Sequence, residues 1–136
     1  DLGIGPGLVG GFEVAEKINA LAAFERFPHL RQQKRTDGSL EGNIIITADG
    51  RQSAVDYHSN FEKRIENYVI GRNPVVIEHP DAIKRARTES IEMLQEVLSK
   101  KSDRIGDLVG RWRKLDSSQI TKIVDWMESL NSGLKL

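Results

Sequence analysis

The sequence predicts a mainly α fold, with about five amphipathic helices, one or two short β-strands and a C-terminal three-helix unit. Three observations lead there. Apolar residues recur at helical spacing from Asp81 to Leu130, each helical segment has its own start signal, and the clearest β-branched runs, Ile44–Ile46 and Val75–Ile77, are three residues each.

Residues 1–11 are rich in glycine, which is entropically costly to order, and a flexible lead-in is expected there. A single mainly helical domain is expected over 12–136. Within it, Val14, Ile18, Leu21 and Ala22 place a helix over Phe12–Arg26, ended near Pro28. Phe24 and Phe27 are then core or cover residues. Residues Leu30–Ser39 form a polar loop, with Arg31, Lys34 and Arg35 close together before the turn signal Asp37–Gly38. A strand follows over Glu41–Thr47. Ser53 opens a second helix to about Ile70, with Tyr57, Phe61, Ile65, Tyr68 and Val69 on one face and Gly71 as its stop. Val75–Ile77, between Pro74 and Pro80, makes a second short strand. The helix between the two strands permits a parallel, right-handed β-α-β unit.

The C-terminal half carries the strongest pattern. After Pro80 and Asp81, Ile83, Ala86, Ile91, Leu94, Val97 and Leu98 face inward while Lys84, Arg85, Arg87, Glu89, Glu92 and Glu96 stay in water. The next helix starts at Ser102 and repeats the stripe with Ile105, Leu108, Val109 and Trp112. In the last, Asp116 and Gln119 form a capping box, and Leu115 with Ile120 a hydrophobic staple. Ile120, Ile123, Val124 and Met127 continue its apolar face, and Asn131 and Gly133 supply stops. Links this short imply antiparallel packing.

Composition narrows the function classes. Lys plus Arg and Asp plus Glu number 20 each, so no global field recruits nucleic acid or membrane. The absence of cysteine excludes disulfides, thiolate chemistry and cysteine-based zinc sites. No apolar run approaches the roughly 20 residues that span a bilayer. No signal peptide is recognisable, an intracellular location is expected, and a start at Asp1 without Met points to a processed chain or a fragment.

Few motifs carry chemistry. Gly5, Gly7 and Gly10 match GxGxxG, but the dinucleotide fingerprint needs a preceding strand, and no GK[ST] follows. The run Gly11, Phe12, Glu13, Val14, Ala15, Glu16, Lys17, Ile18 resembles the second half of a helix-hairpin-helix DNA-binding element, where a glycine hairpin opens a helix through Gly-x-x-x-Ala. The resemblance implies backbone amides that hold a phosphate. Its hairpin glycines are adjacent here, as Gly10 and Gly11, and the plainer reading is a glycine-rich helix start. His58 and Glu62 stand at i and i+4 and could ligate metal together, yet nothing at recognisable spacing completes a site. Glu78, His79 and Asp81 beside Pro80 read as a loop with a helix cap. Pro80–Asp81 lacks the downstream acidic-x-Lys of a metal-dependent nuclease, and Ser39 and Ser53 lack the nucleophile elbow.

Three basic clusters remain: Lys84, Arg85 and Arg87; Lys100, Lys101 and Arg104; Arg111, Arg113 and Lys114. On one face they would neutralise several phosphates; dispersed, they are solvated mixed-charge surface. The last two helices have the short link of a helix-turn-helix, but the second carries Asp125 and Glu128 beside Lys122. Trp112 falls on an apolar stripe and is expected in the core, while Trp126 and Met127 are candidate interface anchors. The sequence therefore favours a non-enzymatic protein–protein interaction or assembly module, with a protein partner or self-association. Nucleic-acid binding to DNA or RNA through the basic faces comes second, and a small metal-dependent hydrolase third. No cofactor and no membrane partner are expected. Convergence of the basic clusters would reverse the first two.

Overall fold

The computed structural model describes residues 6–133. In chain order its elements are β1 (Gly10–Ile18), α1 (Ala20–Arg26), β2 (Gln33–Lys34), β3 (Leu40–Glu41), α2 (Phe61–Ile65), β4 (Tyr68–Val76), α3 (Pro80–Leu98), α4 (Ile105–Val109) and α5 (Ser117–Ser132). The described residues are 43% helical and 20% strand, with two antiparallel sheets and five helices, which corrects the mainly α expectation to a mixed α and β fold. The chain divides into two compact units: a central unit, Glu13–Arg72, and a helical unit formed by Asp1–Phe12 with Asn73–Leu136.

The added strand comes from two segments. The stripe over Phe12–Arg26 fits a helix, yet the chain is extended as far as Ile18. Gly10 and Gly11 weaken a helix there, Phe12 and Val14 alternate with Glu13 and Ala15, and the nine-residue β4 supplies backbone partners. The helix begins only where Asn19 caps it, its Oδ1 accepting from the Ala22 N–H at 2.8 Å. The helix-hairpin-helix resemblance consequently has no helix to open at Gly11. β4 in turn begins seven residues before the expected Val75, running through Gly71 and Pro74. Pro74 is tolerated because each strand of a two-stranded sheet is an edge.

The expected parallel β-α-β unit is also absent. Gln33–Lys34 pairs antiparallel with Leu40–Glu41, while Ile44 and Ile46 make only isolated bridges, to Arg31 and Gln52. The helix expected over 53–70 is reduced to Phe61–Ile65. Upstream of it, Gln52 Nε2 donates to the Asp56 carboxylate at 2.8 Å and to the His58 carbonyl at 3.0 Å, and Asn60 adopts φ 58°. Such side-chain bonds compete with the helical ladder. Tyr57, expected on the apolar face, is exposed.

In the central unit the core is Ala20, Ala23, Ile44 and Ile46, with Ile18, Phe24, Phe27, Leu30, Phe61, Ile65 and Tyr68 packed around it. Arg31 belongs to this scaffold: its Nε and Nη2 both donate to the Phe24 carbonyl, at 2.9 and 2.8 Å, and its guanidinium lies 3.7 Å from the Phe24 ring centroid. Arg35 pairs with Glu41 at 3.0 Å. Two of the three cations of the expected basic loop are thus occupied.

In the helical unit α3 and α5 pack together. Ile77, Ala82, Ala86, Met127 and Leu130 form one cluster, and Met93, Leu94, Leu98 and Leu108 another. The capping box is present, Gln119 N–H to Asp116 Oδ1 at 2.8 Å and Asp116 N–H to Gln119 Oε1 at 3.0 Å. Of the glycine-rich lead-in, Gly5 lies outside the described residues. Gly7 lies against α3, where a Cβ would stand 2.9 Å from Arg87 Cα, and the Leu8 N–H donates to the buried Ser90 Oγ at 3.1 Å. The Val9 carbonyl accepts from Ile77 at 3.0 Å. No helix of the described residues is long and apolar enough to cross a membrane.

Candidate nucleic-acid interface

The second and third basic clusters flank α4. This helix is shorter than the stripe from Ser102 to Trp112 predicts, because Gly110 adopts φ 61° and ψ −149°, a conformation essentially reserved for glycine. The chain leaves the helix there. Leu108 is buried and Leu115 packs against the same cluster, so the intervening Arg111, Trp112, Arg113 and Lys114 are held between two anchors and all are exposed. Trp112, expected in the core, is 83% exposed.

A helix leaves its last carbonyls without intrahelical partners. At α4 two cations serve them: Lys100 Nζ donates to the Asp107 carbonyl at 2.5 Å, and Arg113 Nη1 to the Leu108 carbonyl at 3.0 Å. Adjacent carbonyls therefore draw one side chain from each cluster to the same end of the helix. The turn before α4 is fixed as well. Ser99 ends α3 in the left-handed region, Gln95 Nε2 donates to the Ser102 carbonyl at 2.6 Å, and Ser102 Oγ donates to Asp107 Oδ2 at 3.0 Å. Lys101 and Arg104 are exposed beside it. Over residues 99–116 six Lys and Arg stand against three Asp, on a chain that is neutral as a whole.

The first cluster lies apart from these two. Lys84, Arg85 and Arg87 sit near the start of α3, about 20 Å along the helix from Ser99 at 1.5 Å per residue. Arg85 is committed to Glu89 through two bonds, at 2.9 and 3.2 Å, and this carboxylate holds its guanidinium pKa above the ordinary value. Met127 is buried at 3% exposure, and Trp126 is half-buried against both clusters of the helical unit. The exposed tryptophan is Trp112.

The remaining candidates do not assemble. His58 lines one cleft of the central unit and Glu62 another. His79 caps α3, its Nδ1 accepting from the Asp81 N–H at 3.3 Å, and belongs with Asp81 to the helical unit. Among the described residues no group of three or more His, Asp or Glu is placed to hold a metal ion. One pairing escapes sequence reasoning: Asp56, two residues before His58, accepts from its Nδ1 at 2.6 Å. An acid-x-His spacing is the one signal that could have found it.

No protein-family model, no curated protein and no solved structure matches this chain.

Proposed function

We propose that the chain is a non-enzymatic macromolecular interaction module whose helical unit binds single-stranded nucleic acid around α4. The observation that carries this reading is Trp112, 83% exposed and set between Arg111 and Arg113. An exposed aromatic amid cations is the pairing that single strands use, the ring stacking on a base while the charges follow the backbone. Lys100 and Arg113, brought to one end of α4, add to the local positive charge. The test is fluorescence anisotropy of labelled single-stranded oligonucleotides at two salt concentrations. Binding is expected to weaken with salt, and the slope to fall by about 0.7 for each phosphate that Arg111→Gln or Lys114→Gln leaves without its cation. Trp112→Ala is expected to weaken binding about tenfold while leaving stability within about 0.5 kcal/mol. Absence of binding at low salt overturns the reading.

A second reading is self-association or capture of a protein partner. It is favoured by Val9 and Phe12, 75% and 58% exposed at the start of β1, and by the two-stranded sheet they adjoin, in which both strands are edges. Light scattering that returns a mass above 15.3 kDa, lost in Phe12→Ser, supports it. A monomer at high concentration with no bound protein removes it.

A further inference from the structure

We propose that a cleft in the central unit, between His58 and Arg64, binds a small anion, a phosphate or a carboxylate. The cleft has a volume of about 470 Å³, within the roughly 300–1,000 Å³ range of small-molecule sites. Its polar lining is Arg64, His58, the amides of Gln32, Asn43 and Asn67, and Tyr68, with no carboxylate among them. That set is cationic and rich in donors.

Hydrogen bonds hold three of the lining side chains, His58, Arg64 and Tyr68. The Asp56 side chain is only 1% exposed, and it accepts from Gln52 Nε2 at 2.8 Å and from His58 Nδ1 at 2.6 Å. With the Asp56 carboxylate accepting, His58 carries a proton on Nδ1 and its Nε2 is left for a ligand, as an acceptor in the neutral ring and as a donor to an anion in the imidazolium. The negative charge thus stands behind the imidazole and outside the lining. Arg64 uses Nε in a bond to the Ser59 carbonyl at 3.4 Å. No bond or ion pair among the described residues takes its terminal nitrogens, whose fork matches a phosphate or carboxylate. Tyr68 is fixed by its hydroxyl, which donates to Asn43 Oδ1 at 2.8 Å, and by stacking on Phe27. Gln32 Oε1 is enclosed without a hydrogen-bond partner.

The experiment is NMR of the isotopically labelled full chain titrated with inorganic phosphate, phenyl phosphate and benzoate. The expected result is a saturable shift of the His58 ring and Gln32 side-chain signals with at least one probe. Binding should be at least tenfold weaker in Arg64→Gln and weaker in His58→Gln; both side chains are accessible, and unshifted amide signals in α1 report that each variant is folded. A response to phenyl phosphate alone assigns the site to phosphates, and a response to benzoate as well assigns it to organic anions generally. Arg111→Gln serves as the control and is expected to leave these shifts intact, which separates the cleft from the nucleic-acid surface. No saturable shift with any probe up to about 10 mM overturns the proposal, as does unchanged affinity in a folded Arg64→Gln.

Discussion

Each of the two units has its own kind of internal cohesion. In the helical unit a 19-residue and a 16-residue helix pack apolar faces together, and most of their side-chain hydrogen bonds stay within one helix and its cap, as in Arg85 to Glu89 and Gln119 to Asp116. In the central unit no helix exceeds seven residues, and polar side chains span its loops: Arg31 on the Phe24 carbonyl, Gln52 and His58 on Asp56, Tyr68 on Asn43. Apolar packing is non-directional and tolerates small shifts, whereas hydrogen bonds are directional and depend on each partner. A change that empties space is expected to injure the first unit, and one that removes a polar partner the second.

The contrast can be broken by experiment. The largest effect is expected from Leu130→Ala, which removes a fully buried side chain from the α3–α5 packing and should destabilise the helical unit by about 3 kcal/mol. Hydrogen exchange should then accelerate in α3 and α5 and stay unchanged in α1; equal acceleration in α1 would erase the distinction between the units. A smaller effect, about 1–2 kcal/mol, is expected from Asp56→Asn. Burial pushes the Asp56 carboxyl upward, but the donors Gln52 and His58 outweigh it and hold the pKa below the ordinary 3.8. The stabilisation is therefore complete above the unfolded value and lost as pH falls through the lower folded one. Exchange in the central unit should rise on acidification below about pH 4 in the parent chain and show a weaker rise in Asp56→Asn. The smallest effect, about 1 kcal/mol, is expected from Asp116→Ala, which opens the capping box of α5 and should appear as a shifted denaturation midpoint with no change in slope.

The same difference explains what can be read from the chain alone. Helix signals are local: Pro80 opens α3, and Asp116 with Gln119 opens α5, each within a few residues of its partners. The strands depend on remote segments. Nothing near Phe12 announces that Tyr68–Val76 will pair with it, and a 3.6-residue stripe through Val14 and Ile18 competes with the true alternation. The sequence misplaces Trp112 for a related reason, since its stripe is regular and only the conformation of Gly110 takes it out of the helix. For the candidate surface, the residue types of all three basic clusters are plain in the sequence. That Lys100 and Arg113 would meet on adjacent carbonyls is not, because it depends on where α4 stops. The cleft is hidden more deeply: Gln32, Asn43, His58 and Arg64 are spread over 33 positions, and the helix expected over 53–70 places His58 beside Glu62 instead of Asp56.

The division of the chain also has a consequence for how such a protein can change. The backbone leaves the helical unit after Phe12 and returns at Asn73, and both crossings lie within the paired strands β1 and β4, where Glu13 and Arg72 meet in a 2.8 Å ion pair. The segment between them starts and finishes side by side, the geometry of a cassette set into a host. A replacement whose own ends lie equally close could be carried on the same pair of strands. The sequences of the two units could then change on separate schedules within one gene.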